Sequence, residues 1–263
     1  MRQDHNRPIL KTEAEIEKMR VANKIVARAL RLVEEMVRPG ISTAEIDGAV
    51  ENLIRGAGAV PLFKNYPSGN SEVPDFPASI CASVDYEVVH GIPKKTRILQ
   101  AGQIISVDVG AKIDGYCGDA AWTFPVGEVG KKARKLLTVT EECLRSAIAA
   151  IRPNGRLYDI SGAVQRCAEK NGFSVVRQFV GHGIGAEMHE PPQVPNYISR
   201  KENYDMPLGA GMVLAIEPMV NIGGYEVLTA KDGWTVFTRD RSLSAHFEHT
   251  VAITANGAEV LSV

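Results

Sequence analysis

With 263 residues, 44% of them hydrophobic, the chain can bury a sizeable core. Its 30 basic and 31 acidic side chains leave a net charge of -1, which excludes any broad field for holding nucleic acid or an anionic membrane. The charged opening MRQDHNRPIL precedes no apolar segment and no run of about 18 apolar residues occurs, so neither export nor a membrane span is expected and a cytoplasmic location follows. Cys81, Cys117, Cys143 and Cys167 lack C-x-x-C spacing and read as reduced core thiols.

In chain order, residues 1–11 read as an N-terminal extension. A helix follows from Thr12, with Glu15 completing a capping box and Val26, Leu30, Val33 and Val37 at helical spacing, until Pro39-Gly40 stop it. A second helix starts from Ser42 with Glu45 as capping partner and ends near Gly56. Leu137, Leu144, Ala147 and Ile151 mark a third, stopped at Pro153-Asn154-Gly155, and a fourth runs from about Asp159 to Gly172. Between and after these pairs the pattern changes to strands over 103–110, 116–124, 174–180, 212–220 and 244–254, with Asp-Gly turn signals at 114–115 and 232–233.

The chain also repeats itself. An ungapped offset of 114 residues lays ALR…RPG…EIDGAV on CLR…RPN…DISGAV, matching Leu30 with Leu144, Ile46 with Ile160, and Gly48-Ala49-Val50 with Gly162-Ala163-Val164. So long a period points to a duplicated helix-helix-sheet unit about a pseudo-twofold axis. The alternative is that two helix hairpins merely share a stop-and-cap pattern. Under duplication, residues 12–263 form one composite domain with halves at about 12–124 and 125–254, and a site between the halves draws residues from both.

Four acids occupy similar settings, each inside a predicted strand. Alternation sets Asp108 with Ser106 and Gly110, opposite Ile105, Val107 and Val109, and sets Glu217 with Val213 and Ala215, Glu248 with Ser244 and His246, and Asp119 with Cys117 and Ala121. If Asp114-Gly115 is a two-residue turn, Asp119 lies opposite Gly110 and diagonal to Asp108, with Cβ atoms about 7–8 Å or somewhat less apart. Each acid alone reads as a solvated or salt-bridged carboxylate. Four on one cavity wall cost free energy unless cations neutralise them, and two divalent ions would balance their charge.

His182 stands in Gly181-His182-Gly183-Ile184-Gly185, where the glycines would let the backbone bend it toward the acids. His189-Glu190 does not open a zinc-protease helix, because position 193 is Gln and Pro191-Pro192 oppose a helix. His90 ends the apolar run Val88-Val89. An oxygen-dominated set with one imidazole suits Mn(II), Fe(II), Co(II) or Zn(II), and histidines beside it suit proton transfer or carbonyl stabilisation.

VVHGIP (88–93), SVDVG (106–110), GDAAWTF (118–124), VGHGIG (180–185), MHEPPQV (188–194), AIEPMV (215–220) and KDGWTVFTRDRSLSAHFEHTV (231–251) resemble, in order, the blocks of type I methionine aminopeptidases. The resemblance implies an α+β pita-bread fold, pseudo-twofold helix-helix-sheet halves around a central antiparallel sheet. It implies that Asp108, Asp119, His182, Glu217 and Glu248 hold two divalent ions, with Asp119 and Glu248 bridging both. His90 and His189 would be the catalytic histidines, contacting substrate, with Glu217 as general base, and Cys81, Phe76, Met188 and Trp234 would line the methionine pocket. The implied reaction is attack by a hydroxide shared between the ions, releasing methionine ahead of a small second residue. Expected partners are N-terminal methionyl peptides, nascent chains and, transiently, the ribosome, acting on a monomer. Phe76 stands where Tyr is common and Met188 where Phe is usual, and the segment from Phe63 to Asp75 is rewritten. The alternatives are a prolidase-like or Xaa-Pro aminopeptidase, usually preceded by a large N-terminal domain, and a non-catalytic pita-bread binding protein, which would lose ligands.

Overall fold

The expected capping box opens the first helix, α1 (Glu13–Met36). The Glu15 amide donates to Thr12 Oγ1 at 3.4 Å, and the Thr12 amide donates to the Glu15 carboxylate at 2.7 Å. The same device, built from Ser42 and Glu45, opens α2 (Thr43–Gly56). Helix α1 stops at Met36, where the C-cap Val37 turns to extended backbone (φ -65°, ψ 110°) two residues ahead of Pro39, which cannot continue a helix. The second pair is α3 (Lys131–Ala149) and α4 (Leu157–Lys170). Helix α4 starts two residues before the expected Asp159, because Asp159 serves as its capping carboxylate, accepting from the Arg156 amide at 2.9 Å. This computed structural model describes residues 7–152, 154–199 and 204–263. The expected stop at Pro153, and residues 1–6 of the expected extension, lie outside them.

Each helix pair packs on its own sheet. Val26, Leu30, Ile46 and Val50 bury against Ile105, Val107 and Val109, whereas Leu136, Leu144, Ile160 and Val164 bury against Leu214, Ile216 and Val251. The repeated pairs Leu30/Leu144, Ile46/Ile160 and Val50/Val164 thus fill corresponding places in two separate cores. None of the described helices is long and apolar enough to cross a membrane. All four cysteines are unpaired, and three are buried.

Two antiparallel hairpins organise the sheets. Ile104–Ile113 pairs with Tyr116–Pro125 without a bulge, around Asp114 (φ 50°) and Gly115 (φ 82°). Both turn residues are left-handed, as a twist-compatible two-residue turn requires. The second hairpin centres on Asp232-Gly233, and its arms include Val213–Ile216, Met219–Asn221, Ser244–His246 and His249–Thr254. The strands expected over 212–220 and 244–254 are therefore each broken in two. Pro218 cannot donate to a ladder, and the facing chain uses the gap: Phe247 donates to the Pro218 carbonyl at 3.3 Å and Glu248 to the Ala121 carbonyl of the first hairpin at 2.8 Å. Register survives the break, since Ile216 pairs with His249 and Met219 with His246. The strand expected over 174–180 is reduced to Ser174–Val175, after which Arg177 leaves the sheet to stack on Tyr225, 4.0 Å from its ring centre. Ile80–Val84 and Glu87–Val89 are further strands, outside the expected set.

Candidate active site

The first hairpin delivers two acids as its turn dictates. Asp119 pairs with Gly110 and Asp108 with Ala121, so the carboxylates are diagonal neighbours on one face. Asp119 and Glu248 are each only 2% exposed. Glu217 and Glu248 are not inside strands, contrary to expectation. They flank the gap created by Pro218, where a preserved register sets them opposite each other and the break frees their side chains from the pleat.

His182 lies in the strand Gly181–Gly183, paired with Ala215 and Gln193. Its Nδ1–H donates to the Gly183 carbonyl at 2.9 Å, which leaves Nε2 with a lone pair facing the acids, 3.5 Å from Glu217 and 4.0 Å from Asp119. The flanking glycines do not supply a bend. Neither adopts positive φ, and a Cβ on Gly181 would collide with the Ala215 carbonyl, one on Gly183 with the Pro191 carbonyl. Close strand approach is the requirement.

Asp119, His182 and Glu248 offer ligand atoms that all lie within 4.8 Å of one another. Asp108 Oδ1, Asp119 Oδ1 and Glu248 Oε1 are buried with no hydrogen-bond partner, as is His246 Nε2 beside Glu217 at 3.6 Å. Such orphaned acceptors are rare, and their convergence fits a cation. Burial raises all four carboxyl groups, and repulsion between carboxylates adds to it for Asp108, Asp119 and Glu248: Asp108 is pushed up to about 7, and Asp119, Glu217 and Glu248 well above the carboxylate range. Burial lowers His182 to about 3, keeping the ring neutral as a ligand must be. Cys81, paired with Asp108 across the sheet, is held as a thiol by burial and that carboxylate. The donor set is therefore carboxylate and imidazole, the chemistry of Mn, Fe, Co and Zn sites.

All eleven expected site residues line one cavity of about 180 Å³. The acids and His182 occupy one part of its wall. Phe76, Cys81, Met188 and Trp234 form an apolar part, with Phe76 and Trp234 edge to face at 5.2 Å. His90 and His189 stand beside the acids. His90 holds a left-handed backbone (φ 59°), an uncommon conformation for a side chain of its size, braced by the Phe179 ring at 5.5 Å. His189 is the most open of the three, with its ring 4.3 Å from that of His182.

The model of metallopeptidase family M24 matches residues 17–255. The chain belongs to this family. Within M24 it stands among the methionine aminopeptidases: it is 49% identical over 255 residues to the methionine aminopeptidase of Clostridium acetobutylicum, covering 97% of this chain and 98% of the relative. The crystal structure of the Thermotoga maritima methionine aminopeptidase superposes with a TM-score of 0.91 at 44% identity, covering 97% and 99% of the two chains. The fold is thus the M24 pita-bread fold. Pyrococcus furiosus prolidase shares that fold alone, with a TM-score of 0.77 at 24% identity, and this chain covers 66% of its length.

Six wall residues of the M24 cavity were not expected: Phe63, Tyr66, Val89, Phe179, Val180 and His246. His246 left a trace in the sequence as a strand companion of Glu248, and Val89 and Val180 as apolar neighbours of His90 and of the Gly181-His182-Gly183 segment. Behind His189, Lys11 and Glu190 form an ion pair whose side chains are 4% and 5% exposed. Lys11, at the end of the expected extension, is therefore part of the support of this loop. Removing one partner strands a buried charge, so Lys11→Met is expected to lower stability by about 3–5 kcal/mol. Equilibrium denaturation would measure the loss, and an unchanged midpoint would show that Glu190 is not held by Lys11.

Proposed function

We infer that this M24 chain removes the N-terminal methionine from peptides and nascent chains whose second residue is small. The observation that carries the reading is the joining, in one cavity, of a metal-type acid cluster and a small apolar chamber. At about 180 Å³ the cavity is below the roughly 300–1,000 Å³ of sites for drug-sized ligands, which suits one side chain and not a long peptide. The sulfur of Met188 and the rings of Phe76 and Trp234 offer the polarisable, adaptable surface that a thioether packs against.

Asp108, Asp119, His182, Glu217 and Glu248 would hold two divalent ions, for which Mn, Fe(II), Co and Zn are all chemically suitable. When bound, such ions supply Lewis acidity toward the scissile carbonyl and make water acidic near neutral pH. The chain's own residues do the rest. Glu217 accepts the proton that the attacking water releases, His189 donates to the oxygen of the tetrahedral intermediate, and His90 attends the scissile nitrogen. The surrounding apolar wall excludes bulk water and strengthens those contacts.

Release of free methionine from Met-Ala-Ser and Met-Arg-Ser, with Ala-Pro as a control, tests the reading after reconstitution with each metal. Met-Ala-Ser should be cleaved and Met-Arg-Ser at least about 10²-fold more slowly in kcat/KM, because a guanidinium beside the pocket would be desolvated without a partner. Equal cleavage of the two would remove the small-residue rule. Cleavage of Ala-Pro in preference to either would favour the prolidase-like alternative.

A further inference from the structure

His189 can donate to an oxyanion only through a ring nitrogen that carries a proton, and the partner of the other nitrogen decides which one does. Tyr66 supplies that partner. Its hydroxyl lies 2.7 Å from His189 Nδ1, with the two rings edge to face at 5.6 Å. A phenol is the stronger donor of such a pair, and burial raises its pKa further, so it keeps its proton. With Nδ1 accepting, the proton of the neutral ring is on Nε2.

The placement of this phenol is built into the chain. Asn65 adopts a left-handed backbone (φ 63°), a conformation that asparagine tolerates. Around it the Tyr66 amide donates to the Phe63 carbonyl, and Asn65 and Tyr66 bracket Phe76 with backbone bonds of 2.8 and 2.9 Å. The loop between is fastened by the Trp234 indole, which donates to the Pro74 carbonyl at 2.8 Å. Tyr66 thus stands on a loop tied at both its base and its tip.

We propose that Tyr66 is a positioning residue of the peptidase reaction, whose hydroxyl holds His189 as the Nε2–H tautomer and aims that N–H at the scissile carbonyl. The proposal rests on the reading of His189 as the oxyanion donor. Tyr66→Phe keeps the ring and its packing and removes only the hydroxyl.

The test measures kcat, KM and bound metal for the metal-reconstituted wild type, Tyr66→Phe, His189→Ala and the double variant on Met-Ala-Ser, with ¹⁵N shifts of His189 in the metal-free wild type and Tyr66→Phe. Tyr66→Phe should lower kcat about 10-fold, less than the roughly 10²–10³ that loss of the oxyanion donor itself costs, with KM and metal content little changed. In the His189→Ala background the same change should cost nothing more, because Tyr66 acts through that ring. The shifts should report the Nε2–H form in wild type and a tautomer mixture in Tyr66→Phe. A wild-type kcat in Tyr66→Phe, a raised KM alone, an equal loss in both backgrounds, or an Nδ1–H form in wild type would each overturn the proposal while leaving the role of His189 standing. A wild-type kcat in His189→Ala would instead overturn that role, and Tyr66 would have nothing to position.

Discussion

Asp119→Asn, or Glu248→Gln, is expected to abolish nearly all methionine release and most metal binding. Each carboxylate is buried, each has an oxygen with no protein partner, and both belong to the group whose ligand atoms converge within 4.8 Å. An amide keeps the shape but removes the charge and replaces one acceptor by a donor, which a cation repels. Metal content after reconstitution and dialysis measures the first effect directly. Thermal unfolding gives a readout that needs no turnover: an ion that binds only the folded chain stabilises it by about 2.7 kcal/mol at a concentration 100 times Kd. Wild type should show that gain with Mn(II) or Co(II), and either variant should lose most of it. Two tightly held ions in either variant would overturn the assignment of these residues as shared ligands.

How much of this was legible in the chain depends on how local the cause is. The Asp108/Asp119 diagonal follows from one dipeptide: Asp114-Gly115 fixes the turn, the turn fixes the register, and the register puts both acids on one face. The Leu30/Leu144 and Ile46/Ile160 matches anticipated two cores of the same design because apolar positions must recur where packing recurs. Glu217 and Glu248 were legible as site residues but not in their setting. Alternation read through Pro218, whereas that residue's missing amide breaks the ladder and frees both carboxylates. The glycines around His182 were legible as necessary, but the reason is interstrand contact, which only the tertiary pairing reveals. Tyr66 was illegible: it lies in an aperiodic loop whose course is set by bonds to Phe76 and by Trp234, far away in sequence.

His189→Ala is expected to separate turnover from metal binding, the opposite pattern to that of the acids. His189 lines the cavity wall, and its Nδ1 is engaged by Tyr66. What the ring can still offer is a single N–H toward a substrate oxygen. A donor aimed at developing negative charge acts mainly on the transition state, so its removal should appear in kcat more than in KM. Loss of one such donor costs about 10²–10³ in kcat. Metal content and the metal-induced rise in unfolding temperature should stay close to wild type. The His182 ring, 4.3 Å away, provides the contrast. Its Nε2 faces Glu217 and Asp119, so His182→Ala should lose metal and activity together. Parallel loss of metal and turnover in His189→Ala would make His189 a ligand and leave the oxyanion without its proposed donor.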